Sequence, residues 1–163
     1  MKKLLIIIRG NSGSGKTRLA KYIQDIVGEK NCFIVHQDIV RREILHTNDS
    51  KNNPSINLMK ELADFGFEHY PISIIEGILR KDVYGEMLTQ LSSDQRIQSM
   101  VLYLDYPFNI TIENDQKKKQ PFGKVTLQKW WRENDVLTAD DIRIKDEKTL
   151  QGAVSKITKL LDM

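Results

Sequence analysis

Eight residues near the start of the chain constrain its fold more than any others: Gly10-Asn11-Ser12-Gly13-Ser14-Gly15-Lys16-Thr17. They fit G-x-x-x-x-G-K-[ST] at every fixed position. Gly10, Gly13 and Gly15 lack a Cβ, so the backbone is free to take positive φ and wrap closely around a phosphate. The loop amides, those of Asn11, Ser12 and Ser14 included, then form an anion nest, and the following helix adds its positive end. Lys16 brings a mobile ammonium to the β- and γ-phosphates, and Thr17 offers a hydroxyl to Mg²⁺. The flanks agree with this reading. Leu4-Leu5-Ile6-Ile7-Ile8 is an apolar run suited to a buried parallel strand. Leu19, Ile23, Ile26 and Val27 then recur at helical spacing, and Gly28 stands where a C-cap belongs.

With 163 residues and no Pro/Gly/Ser-rich divider, the chain is expected to form a single domain, 1–163. A net charge of +3 suits an anionic substrate without demanding nucleic acid. Cys32 is the lone cysteine and opens an apolar run, so it reads as a buried core residue. The apolar run near the start is too short to cross a bilayer and lacks a cleavage pattern. It is therefore read as mature structure, no membrane partner is expected, and a reduced, cytoplasmic setting follows.

Apolar runs alternate with helical patterns, which predicts βαβ units and a parallel sheet. Strands are expected at about 3–8, 32–36, 72–76, 97–104 and 142–144. Helices are expected at about 16–27, from Ile39 to Leu45, and from a Ser55 cap through Met59, Leu62, Ala63 and Phe67. Further helices are expected at about 82–91, around Leu127, Trp130 and Trp131, and at about 150–161. Adjacent positions on a helix diverge, so one of the two tryptophans is expected in the core. Thr47 to Pro54 and Asp115 to Lys124 read as loops.

In open parallel sheets the ligand lies beyond the carboxyl ends of the strands. The polar residues placed there are the Gly-rich loop, Gln37-Asp38, Glu76 and Asp105. Asp38 is a candidate base for an attacking hydroxyl, or alternatively a helix cap, with Arg41 and Arg42 able to hold an anionic acceptor. Glu76 and Asp105 both end apolar runs, and the pattern alone does not choose which stands beside the metal. Lys117, Lys118 and Lys119 sit in a Pro- and Gly-punctuated loop suited to closing over phosphates. His36, His46 and His69 lack metal-ligand spacing. Of the three, His36 lies at a strand end near the expected site.

Four segments together resemble small bacterial P-loop kinase-like proteins: Arg9 to Thr17, Gln37 to Glu43, Ile75-Glu76-Gly77-Ile78-Leu79 and Trp130-Trp131. That group is similar to the nucleoside monophosphate, gluconate and shikimate kinases, chloramphenicol phosphotransferase and the zeta-toxin kinases. The resemblance implies a three-layer α/β/α sandwich around a five-stranded parallel sheet in the order 2-3-1-4-5, with ATP and Mg²⁺. It implies Lys16 and Thr17 as nucleotide and metal residues, Asp38 as the base, Glu76 rather than Asp105 at the metal, and a lid at about 111–124. Relatives carry arginines in that lid, whereas this chain offers lysines, of which Lys118 is taken as the nucleotide contact. Lys117 to Lys119 or Arg80 would have to replace those arginines, or transfer would be weak.

The expectation is a kinase moving the γ-phosphoryl of ATP to a hydroxyl of a small molecule, nucleoside or nucleotide, as a monomer or dimer. Two alternatives stand beside it: an ATP-binding regulatory NTPase with no acceptor, and a kinase acting on nucleic-acid ends.

Overall fold

The computed structural model describes residues 3–161; positions 1–2 and 162–163 of the expected domain lie outside the described residues. Five strands form one parallel sheet: β1 (Lys3–Gly10), β2 (Cys32–His36), β3 (Ile72–Glu76), β4 (Ile97–Leu104) and β5 (Ile142–Ile144). Their spatial order is β2-β3-β1-β4-β5. The helices are α1 (Lys16–Val27), α2 (Ser55–His69), α3 (Lys81–Ser92), α4 (Phe108–Gln116), α5 (Lys124–Trp130) and α6 (Glu147–Leu160).

The central strand explains the layering. Successive side chains of a strand point to opposite faces. Leu4, Ile6 and Ile8 pack with Leu19, Ala20 and Ile23 of α1 and with Ala153 and Ile157 of α6. Leu5 and Ile7 pack on the other face with Met59 and Ala63 of α2 and with Tyr84 and Leu88 of α3. The uninterrupted apolar run of β1 is thus the signature of a strand covered on both sides. Cys32 is buried in the first of these clusters. Burial pushes its thiol up to about 11, as expected of an unreactive core cysteine.

Four local expectations are corrected. Ser55 does not cap α2; its N–H donates to Asn53 Oδ1 at 3.0 Å, so the side chain two residues earlier takes that role. The segment Ile39–Ile44 is a π-helical turn instead of an α-helix, with Leu45 N–H donating to Val40 O at 3.0 Å. The last helix starts earlier than its apolar pattern suggests, because Asp146 and Thr149 form a reciprocal capping box. Neither Trp130 nor Trp131 is in the core: both are half-buried, and Leu127 supplies the buried position of α5.

Candidate active site

β1 ends at Gly10 and α1 begins at Lys16, so the intervening loop lies at the carboxyl end of the central strand. Gly13 takes φ 80°, and a Cβ there would stand 2.5 Å from Thr111 O, so the loop's approach to α4 requires glycine. Asn114 on α4 reinforces that contact, its Nδ2 donating to Gly13 O at 2.8 Å. Asn11 anchors the other side. Its Nδ2 donates to Arg132 O and its Oδ1 accepts from Arg132 N–H, both at 2.9 Å. The loop is therefore held by the segments on both flanks of α5.

Lys16 is buried, and its Nζ donates to Asn11 O at 2.7 Å. Burial pushes the ammonium down to about 8, against the pull of the Glu76 and Asp38 carboxylates. The Thr17 hydroxyl donates to Glu76 Oε1 at 3.0 Å. Asp105 stands elsewhere, its Oδ2 accepting from Arg143 Nη1 at 3.0 Å. The ambiguity between the two strand-end acids is thus resolved in position: only Glu76 faces the loop threonine. The third partner of this cluster is His36, whose Nδ1 lies 2.6 Å from Glu76 Oε1.

Thr17 and Glu76 place two hard oxygen donors side by side on a cavity wall, a set that suits Mg²⁺. Among the described residues no group of three or more His, Cys, Asp or Glu side chains converges. Two protein donors would fill only part of an octahedral shell, leaving the rest to substrate phosphates and water.

Two cavities flank the loop. One, of about 340 Å³, is lined by Lys16, Thr17, Asp38, Arg42, Glu76 and Lys118, among others. The other, of about 710 Å³, lies over α1 and includes Arg18, Tyr22, Tyr106, Ile110 and Leu150. Gly15, Arg18 and Asn114 border both, so the loop is the partition between them.

Asp38 has no capping hydrogen bond and is 66% exposed, with Arg42 Nε at 3.6 Å and Arg41 Nη2 at 3.7 Å. The two arginines part ways beyond it. Arg42 lies over the Phe122 ring, 5.5 Å from its centroid, and over Trp130 at 6.0 Å. Arg41 turns back to donate to Thr47 O at 3.2 Å and does not line the cavity. Ser12 and Gly13 line it, while Ser14 is buried against the neighbouring cavity, its Oγ 3.4 Å from Lys16 Nζ.

Lys118 is committed within its own segment. Its Nζ is 3.2 Å from Asp115 Oδ1 and 4.8 Å from the Phe122 centroid. Asp115 is buried, which opposes ionisation. The amides of Gly123 and Phe122, together with Lys118, nonetheless hold its carboxyl below the usual range. Arg80 is paired with Asp82 at 2.6 Å and does not line either cavity flanking the loop.

Sequence reasoning gave no role to Asn114 or Asp115, which fell in the expected lid segment. Gln37 was among the strand-end polar residues and Arg9 headed a family-like segment, but neither was given a role. An arginine inside an apolar strand was the available signal for Arg9, because a buried guanidinium must find partners.

The family model for zeta toxin matches residues 1–63. No curated protein matches the chain in sequence. Solved structures similar to it include the APS kinase of Mycobacterium tuberculosis in complex with AMPPNP and APS. That structure is 14% identical, covers 99% of this chain and 99% of its own, and has a TM-score of 0.68. A gluconokinase from Sinorhizobium meliloti is 13% identical over 96% of this chain and 94% of its own, with a TM-score of 0.64. Shikimate kinase from Bacteroides thetaiotaomicron is 14% identical over 98% and 99%, with a TM-score of 0.56. The strand order expected of such kinases is the one observed here. The chain has the fold of the P-loop kinases, and its first 63 residues match the zeta toxin family.

Proposed function

We propose that this protein is an ATP-dependent phosphotransferase acting on a hydroxyl of a small molecule, nucleoside or nucleotide. One observation carries the reading: Lys16, the Thr17–Glu76 pair and Asp38 line a single cavity at the mouth of the loop. The loop amides and Lys16 bind the β- and γ-phosphates, and the adenosine end of ATP occupies the neighbouring cavity beside Arg18 and Tyr106. Mg²⁺, held by Thr17 and through water by Glu76, would neutralise charge on the β- and γ-phosphates. Arg42 holds an anionic part of the acceptor, and Asp38 on the same turn faces its hydroxyl. The acceptor oxygen attacks the γ-phosphorus while the bond to the β–γ bridging oxygen breaks, leaving ADP. The hydroxyl proton passes to the Asp38 carboxylate. The segment 111–124 serves as the lid, with Lys117 and Lys118 its cations toward the phosphates.

The test is ATP consumption with Mg²⁺ against pools of sugars, nucleosides, nucleotides and other alcohols, wild type beside Asp38→Asn. Acceptor-stimulated turnover that collapses in the variant is the expected result. Tight ATP binding with no stimulation by any pool would favour a second reading, an ATP-binding regulator without an acceptor. The observation on that side is the commitment of Lys118 to Asp115, which occupies a lid cation within its own loop.

A further inference from the structure

Glu76 Oε1 receives two contacts, the Thr17 hydroxyl at 3.0 Å and His36 Nδ1 at 2.6 Å. The second is built into the sheet. His36 and Glu76 are register partners at the carboxyl ends of β2 and β3, and side chains at paired positions share a face. A ring nitrogen this close to a carboxylate oxygen needs a proton between them. The Nδ1–H tautomer of His36 supplies it, with the Glu76 carboxylate oxygen accepting. Glu76 is almost fully buried and His36 about a quarter exposed, so the bond is shielded on the Glu76 side. Among the described residues no donor reaches Oε2, although Glu76 lines the cavity.

We infer that His36 is a positioning residue for the metal-side acid, acting through Glu76 on Thr17. By donating to Oε1, His36 fixes the carboxylate where that same oxygen accepts the Thr17 proton. The threonine's lone pairs are then left for a cation in the cavity, and Oε2 is left for water around that cation. Without the histidine donor, the Lys16 ammonium on the same cavity wall is an alternative partner for the Glu76 carboxylate. A carboxylate turned onto Lys16 would compete with phosphate and release Thr17. An outer partner of this kind orients its ligand without touching the metal. The inference rests on the proposed kinase reading, because that reading supplies the cation.

The experiment measures binding of a fluorescent methylanthraniloyl-ATP with Mg²⁺ and with EDTA. It compares wild type, His36→Phe, His36→Ala, His36→Asn and Lys16→Ala, with folding of each checked by circular dichroism. The quantity read is the gain in affinity that Mg²⁺ confers and the Mg²⁺ concentration giving half of it. Phe and Ala, which have no donor, should raise that concentration by about 10- to 100-fold. Asn, whose Nδ2 reaches the position of Nδ1, should restore it to within about threefold of wild type. A Mg²⁺ requirement unchanged in folded Phe and Ala variants would overturn the inference. So would an Asn variant as impaired as they are, since the donated proton would then not be what matters. If wild type shows no Mg²⁺-dependent gain, or Lys16→Ala binds as well as wild type, the kinase reading itself fails and the inference falls with it.

Discussion

Arg9, wholly buried in the central strand, donates to the backbone carbonyl of Leu79 from Nε at 3.0 Å and from Nη2 at 2.8 Å. Leu79 is a non-glycine residue in the left-handed region, at φ 47°, a conformation that costs about 1–3 kcal/mol. Its N–H is held as well, donating to Gln37 Oε1 at 3.0 Å. Both polar groups of one strained peptide position are thus clamped by side chains from β1 and from the end of β2. The turn they fix directly follows Glu76, so the clamp sets how β3 leaves the site.

Arg9 also pairs with Asp135 at 3.0 Å, so its removal leaves the buried Leu79 carbonyl without a donor and leaves Asp135 with only the Lys81 N–H and Arg132. Arg9→Met should destabilise the protein by about 3–5 kcal/mol in urea unfolding. Arg9→Lys should recover little of this, because an ammonium does not reproduce the two parallel donors of the guanidinium.

The two strand-end acids should separate by function. Glu76→Gln should lower phosphotransfer by about 10- to 100-fold, through lost metal positioning. Asp105→Asn should leave it within about threefold, since its partner is Arg143 and not the loop. Steady-state kinetics of both variants, with the acceptor found in the pooled screen, check this.

Lys16 should show function and stability opposed. Its ammonium is buried and pushed down to about 8. Below that value it is charged in both folded and unfolded chains, and the desolvation cost is fully present. Between about 8 and the ordinary lysine value of 10.5 the unfolded chain binds the extra proton, so folded stability rises with pH across that window. Lys16→Met should therefore abolish nucleotide binding while raising the stability of the ligand-free protein in EDTA at pH 7 by about 1 kcal/mol. The gain over wild type should shrink as pH climbs above 8. Thermal unfolding across pH 6–10 reads both the sign and the window.

Asp115 is the pin of the basic loop, accepting from Gly123 N–H at 2.9 Å and pairing with Lys118. Asp115→Ala should cost about 1–3 kcal/mol. Trypsin cleavage after Lys117, Lys118 or Lys119 should accelerate several-fold in the variant, before global unfolding. An unchanged cleavage rate would show that the loop is ordered by other contacts, such as the packing of Phe122 on Trp130 at 5.0 Å.

The local sequence was enough for the strand–loop–helix unit, the parallel sheet and the buried cysteine, because each depends on short-range periodicity and on backbone freedom at glycine. It also placed Lys16, Thr17, Asp38 and Glu76 at strand ends, where the architecture itself gathers polar residues. It left Glu76 and Asp105 equivalent, since both are an acid after an apolar run. The family resemblance favoured Glu76, and the strand order, with β3 beside β1 at the loop and Asp105 beside β5, is the physical reason the two differ in position. The same holds for His36, whose contact with Glu76 arises from register between strands forty residues apart. It holds too for Arg41 and Arg42, neighbours in the chain that a π-helical turn sends to different surroundings. Asp115 likewise gained its meaning when the chain folded back to bring Gly123 onto it. Periodicity and turn chemistry act within a few residues and are legible in one dimension. Pairing across a sheet, and the desolvation that makes a buried charge find a partner, exist only once distant segments share a volume.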